Sequence, residues 1–164
     1  MLSVEAVDWL DPRAIALREA MDAETRAMYA KFVEGQTLEV RAGIDEALAV
    51  DPATIDTTII ALDGAVPVGH AALRPVDVSV FGADVLEVKK VFVVVEARGR
   101  GVARLLMSEL ETMARERRVA SLVLQTGELQ LPAIRLYEEL AYLPIPAFGK
   151  YTAIPGALCF AKEL

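Results

Sequence analysis

Cysteine and histidine occur once each in the 164 residues, as Cys159 and His70. A lone cysteine excludes an intramolecular disulfide. No His/Cys/Asp/Glu set stands at metal-ligand spacing, so no metal is expected. Long apolar runs are missing too: nothing approaches the roughly 20 residues that cross a bilayer, and no membrane partner is expected. The start, Met1 to Asp8, lacks the basic-then-apolar order of a secretion signal, which makes a cytoplasmic location the default. Positive charge is also scarce. Seventeen Lys and Arg against 24 Asp and Glu give a net charge of −7, so there is no broad basic footprint for nucleic acid. Cys159 lies in the apolar stretch from Ala157 to Ala161 and reads as a packing residue.

What is present is apolar material: 54% hydrophobic residues, with a mean hydropathy of +0.38. A chain of this length buries a proper core, and 1–164 reads as one domain. Leu2–Val7 alternates weakly as a first strand. Asp11-Pro12 is an N-cap followed by proline at the first helical position, opening a helix over about 12–29. A second helix is expected near 38–49, ended by Asp51-Pro52. Thr57–Leu62 and Val66–Leu73 flank the hairpin signal Asp63-Gly64. Leu86–Val95 is a valine-rich strand. A helix over 101–118 follows, with Val102, Leu106, Leu110 and Met113 on one face. Ser121–Thr126 is short and apolar, as in a buried sheet. Pro132 opens a helix over about 131–141, and Ala147–Thr152 and Ala157–Lys162 are expected as the last strands. The sum is an α/β (α+β) domain. Its mixed sheet has six to seven strands, antiparallel at first and parallel where a helix links strands 86–95 and 121–126, with about four helices.

The segment from Val91 to Ala103 carries most of the functional information. Strand-favouring residues run into Arg98-Gly99-Arg100-Gly101, and a helix starts directly after. Free N–H groups in a helix's first turn, beside glycines and arginines, form a seat for a phosphate or pyrophosphate. No Gly-Lys-Ser/Thr follows, which speaks against a P-loop, and the spacing is wrong for a dinucleotide fold.

Arg98-Gly-Arg-Gly101-Val-Ala103 fits the pattern Arg/Gln-x-x-Gly-x-Gly/Ala. Gln130-Leu-Pro-Ala133-Ile-Arg-Leu136-Tyr137 fits a second pattern, with glutamine where asparagine is usual. In this order and spacing the two resemble the GNAT superfamily of acyl-CoA N-acyltransferases, over roughly 57–164, and the 145–151 stretch is similar to a small bacterial subgroup. Val95 stands where proline is frequent, and Ala141 where glycine is. The resemblance implies a GNAT-like sheet, acetyl-CoA as co-substrate and a small-molecule amine as acceptor. The backbone of Val91, Phe92 and Val93 would bind the pantetheine arm. Arg98, Gly99, Arg100, Gly101, Val102, Ala103 and Arg104 would surround the pyrophosphate, and Gln130 would reach the cofactor from the other side. A homodimer is compatible with the resemblance.

The chemistry sets requirements. A primary ammonium of pKa about 10.4 is neutral in about one molecule in 2,500 at pH 7, so exposing its lone pair costs roughly 4–5 kcal/mol. The departing thiolate gains from an acid, for which the resemblance offers Tyr137. Glu87, on the strand leading to the turn, is the candidate base, directly or through water, with an ion pair to Lys89 as its structural reading. The strand amide of Val93 is a candidate donor to the thioester oxygen. His70 reads as a strand histidine satisfied by a neighbour. Tyr29, Phe32, Lys89, Phe148 and Tyr151 are expected around the acceptor, where a carboxylate-bearing acceptor could use Lys89 or Lys90. Alternatives to a small-molecule acetyltransferase are an acyl-CoA sensor without turnover, a scaffold docking through its early helices, and acetylation of a protein or peptide amine.

Overall fold

The computed structural model describes residues 1–81 and 84–164. In chain order it contains β1 (Leu2–Val7), α1 (Pro12–Glu34), α2 (Leu38–Leu48), β2 (Thr57–Asp63), β3 (Val66–Pro75) and the one-turn α3 (Val78–Phe81). Then come β4 (Val85–Val93), α4 (Val102–Glu116), β5 (Ser121–Gly127), α5 (Leu131–Glu139), β6 (Leu143–Ile145) and β7 (Ala157–Glu163). The seven strands form one sheet in the order β1-β2-β3-β4-β5-β7-β6, and β4 with β5 is its parallel pair.

Both faces of the sheet are covered, which is why its strands read as continuous apolar runs. Side chains alternate across each strand. Ile59 and Ala61 of β2, Leu86 and Val88 of β4, and Leu122 and Leu124 of β5 pack with the α4 stripe Val102, Leu106, Leu110 and Ala114. Ile60 turns the other way onto Ala14 and Leu17 of α1, and Val85 and Val123 turn onto Ala47 of α2 with Phe148, Tyr151 and Cys159. Burying each α4 leucine stabilises the fold by about 1.5–3 kcal/mol.

Two boundaries matter for the site. Helix α1 starts as expected, with the Asp11 carboxylate accepting the Arg13 N–H at 2.8 Å and Pro12 next, but it continues to Glu34. Helix-forming residues through Ala30-Lys31 favour that extension. The strand expected at Ala147–Thr152 is not formed. Gly149–Ala153 is a short 3₁₀ turn with Gly149 at φ 53°, and the strand beside β7 is Leu143–Ile145. That turn places Tyr151 under the sheet.

Candidate active site

Among the described residues, β4 and β5 pair only over Val85–Glu87 and Ser121–Val123. Beyond that point the strands part, so residues 88–93 keep β3 on one side and an open edge on the other. A bulge reinforces the opening. The register against β3 shifts between His70 and Ala72, and Lys90 sits at φ 53°. A left-handed non-glycine residue costs on the order of 1–3 kcal/mol and persists only where its surroundings hold it.

His70 provides such a hold. Its Nδ1–H donates to the Lys90 carbonyl at 2.8 Å, and Arg18 donates to its Nε2 at 3.1 Å; these partners assign the tautomer. Arg18 also donates to the Trp9 carbonyl at 2.6 Å, with its guanidinium 3.6 Å over the indole. Full burial, and then the neighbouring cations, lower the His70 pKa to about 4. The ring is therefore a neutral clamp on the bulge. Sequence reasoning foresaw a satisfied strand histidine and missed what it satisfies, because Arg18 and Lys90 lie 52 and 20 residues away.

Two cavities flank the opening. The first, about 550 Å³, is bounded by Val91–Val93, by the turn at Arg98, Gly99 and Gly101–Arg104, and by the start of α5. Gly99 and Gly101 have φ of 74° and 82°, a region that favours glycine, and a Cβ at either would meet no protein atom within 4 Å. Gly101 caps α4 without a side-chain hydrogen bond, leaving the first N–H groups of the helix facing this space. The backbone is thus the candidate anion seat. The three arginines carry less of it than the sequence suggested, because each already holds a carboxylate: Arg98 pairs with Glu24 at 2.7 Å, Arg100 with Asp63 at 2.7 Å, and Arg104 with Glu139. The Arg100 side chain turns to the β2–β3 hairpin and does not line the cavity.

The second cavity, about 500 Å³, lies between α1, α2 and the other limb of the opening. Tyr29, Phe32 and Val33 on the extended α1 form one wall, and Ile44 and Leu48 of α2 another. Tyr29 ties α1 to the end of β5 by accepting the Leu129 N–H at 3.2 Å. A Cβ at Gly127 would clash with the Tyr29 hydroxyl, so a larger residue there would displace that ring. Lys89 and Lys90 also line this space, and Lys90 is paired with Asp22 at 2.8 Å. Phe148 and Tyr151, expected as lining, instead pack in the core beneath.

Glu87 is 2% exposed and lines neither cavity. One of its oxygens takes the Arg74 Nε–H at 2.7 Å, and the other takes the Tyr151 hydroxyl and lies 3.5 Å from the Lys89 ammonium. The expected Lys89 pair is present, but Arg74 and Tyr151 bind the carboxylate more closely, and neither was anticipated.

The two cavities meet. Val91, Gln130, Ala133 and Tyr137 line both, with Met21 and Thr25 opposite them. The Tyr137 ring packs on Tyr142 and Phe160, and its hydroxyl has no hydrogen-bond partner among the described residues. Burial pushes its pKa well above the ordinary phenol range, so it stays protonated. One space fits an elongated ligand with an anionic group, the other a small apolar-bodied molecule, and a protonated phenol stands between them.

Comparison with known proteins identifies the family and the fold. The family model described as Acetyltransferase (GNAT) family matches residues 14–142. An IAA acetyltransferase of Azospirillum brasilense is 36% identical over 78 residues, which is 48% of this chain and about half (51%) of that relative's length. A Klebsiella pneumoniae structure assigned as an acyl-CoA N-acyltransferase superposes with a TM-score of 0.76 at 25% identity, covering 100% of this chain and 98% of that one. A GNAT family acetyltransferase of Elizabethkingia anophelis, solved with acetyl-CoA bound, gives 0.64 at 16% identity, covering 99% and 98%. Among the described residues no group of three or more His, Cys, Asp or Glu could hold a metal ion, and no helix is long and apolar enough to cross a membrane.

Proposed function

The chain belongs to the GNAT acetyltransferase family, and on that premise we propose that it moves an acetyl group from acetyl-CoA directly to the amine of a small-molecule acceptor. The observation that carries this reading is the junction: two cavities of comparable size share a wall at Val91, Gln130 and Tyr137, in the gap between parallel strands. A sensor needs the first cavity only.

The residues fit the co-substrate. The open edge of β4 at Val91–Val93 offers main-chain groups to a pantetheine amide, as a neighbouring strand would. The N–H groups from Gly99 to Arg104 receive the pyrophosphate at a helix N-terminus, with Arg98 and Arg104 at its rim. Gln130 faces the same channel. The bound thioester supplies an activated acyl carbon and a thiolate leaving group.

The protein's part is positioning and proton handling. Tyr137 keeps its proton until the thiolate departs and then donates it. The Val93 amide is the proposed donor to the carbonyl oxygen as negative charge builds there. We assign Glu87 to holding Lys89 and Tyr151 in place, since Arg74 and Tyr151 occupy its oxygens and it does not reach the cavity. The ammonium proton of the acceptor leaves through water in the open cavity before the amine attacks.

Free thiol release from acetyl-CoA across a panel of primary amines tests the proposal. Acetylated product matching the released CoA is expected for at least one small amine. Tight acetyl-CoA binding with no amine acetylated would contradict it.

A further inference from the structure

We propose that Lys89 anchors a carboxylate on the acceptor, so that this site takes amino carboxylates with an apolar body rather than simple amines. The inference rests on the acetyltransferase reading and specifies its acceptor. Lys89 is 8% exposed, yet it lines the acceptor cavity, while Glu87 and Tyr151 behind it do not. Behind the cavity, two cations share one carboxylate. Arg74 holds Glu87 at 2.7 Å, and Lys89 is farther away at 3.5 Å. Arg74 and Lys89 thus bring two positive charges to the one carboxylate of Glu87.

Donors give the same answer. An ammonium has three N–H groups. One is satisfied by the Tyr151 oxygen at 2.7 Å, a neutral acceptor whose own proton goes to Glu87. The rest have only the distant Glu87 oxygen, of a residue that does not line the cavity. A desolvated cation with unused donors beside an open space is stabilised by an anion there, and burial lowers the Lys89 pKa in keeping with that unmet demand. The neighbouring lysine does not compete, because Lys90 is held by Asp22. Phe32, Val33, Ile44 and Leu48 line the same space and suit an aliphatic or aromatic body. Asp45 and Glu128 are exposed cavity-lining residues that draw in the ammonium end of a zwitterion.

The test compares L-phenylalanine, L-phenylalaninamide and phenethylamine, then the leucine equivalents, as acceptors in the thiol-release assay. The amino acid is expected to exceed its amide and its decarboxylated amine in kcat/KM by at least tenfold. The amide's amine is less basic and more often neutral, so a loss there cannot come from protonation. Lys89→Met should erase the preference, chiefly through KM, and leave the value for the decarboxylated amine within threefold; Lys89→Arg should restore part of it. Equal use of all three by the wild-type protein, or an equal fall for all three in Lys89→Met, overturns the inference and leaves the acetyltransferase reading standing. Calorimetry of phenylalanine against CoA-saturated protein separates the two failures. Lys89-dependent binding without turnover of any amine supports the anchor and sinks the enzyme reading, and no binding sinks the anchor. Should Lys89→Met fail to fold, the wild-type comparison of amino acid with amide decides.

Discussion

Around the cofactor-side cavity the groups suited to an anion are mainly main-chain ones: an uncapped helix start, two left-handed glycines and an open strand edge, with Arg98 and Arg104 at the rim already paired. Around the acceptor-side cavity they are side chains, led by Lys89 and backed by an ionic network whose members lie up to 77 residues apart. The first region is made by local backbone conformation, and the group proposed to bind there is common to every acyl-CoA. The second is made by tertiary juxtaposition, and on the proposed reading it selects the amine.

That contrast predicts what each substitution should disturb. The largest effect is expected from Gly101→Glu, which places bulk and negative charge at a φ of 82° on the anion seat. Calorimetry should show acetyl-CoA affinity reduced by at least 100-fold. Near-wild-type affinity would remove the backbone seat from the account.

At the junction, Tyr137→Phe should lower kcat by about 100-fold, within the range for loss of a general acid or base. The Kd for acetyl-CoA should stay within about threefold. An unchanged kcat would take Tyr137 out of the mechanism.

His70 joins the two regions through the bulge, and its signature is a pH dependence. Its pKa falls from 6.5 unfolded to about 4 folded, so the unfolded chain binds the proton first as pH drops. Its contribution is complete above pH 6.5 and is lost as pH falls toward 4, by at most about 3 kcal/mol at about 1.36 kcal/mol per pH unit. Urea unfolding of the wild type and of His70→Asn at pH 7.5, 6, 5 and 4 should show this extra slope in the wild type alone. Parallel slopes would mean that the imidazole is not held neutral.

The smallest effect is expected from Arg100→Ala. Its guanidinium is paired with Asp63 and turned from the cavity, so acetyl-CoA affinity should change less than threefold. A tenfold loss would show that the side chain leaves Asp63 to reach the ligand, and the contrast between main-chain and side-chain regions would weaken.

The same contrast explains how much could be read from the chain itself. Glycine spacing, the helix start after Gly101 and the Gln130–Tyr137 segment are local patterns. They located the β4–α4 turn and placed Tyr137 on α5 beside it. The period-2 and period-3.6 signals placed nearly every strand and helix. The short β6 and α3 were not foreseen, and the strand expected at Ala147–Thr152 failed because β-prone residues there are overridden by a left-handed glycine and by burial of Tyr151 under the sheet. Partners of buried charge were illegible for a different reason. Nothing near Glu87 in sequence announces Tyr151, and nothing near His70 announces Arg18. The arginines around Gly101 look free in sequence because Glu24, Asp63 and Glu139, which hold them, come from three separate elements.

The most direct measurement is a crystal structure of the protein with coenzyme A. The account predicts the pyrophosphate on the N–H groups of Gly99–Arg104, the pantetheine along the open edge of Val91–Val93, and the sulfur within hydrogen-bond reach of the Tyr137 hydroxyl. A ligand seated elsewhere, or a sulfur far from Tyr137, would contradict it.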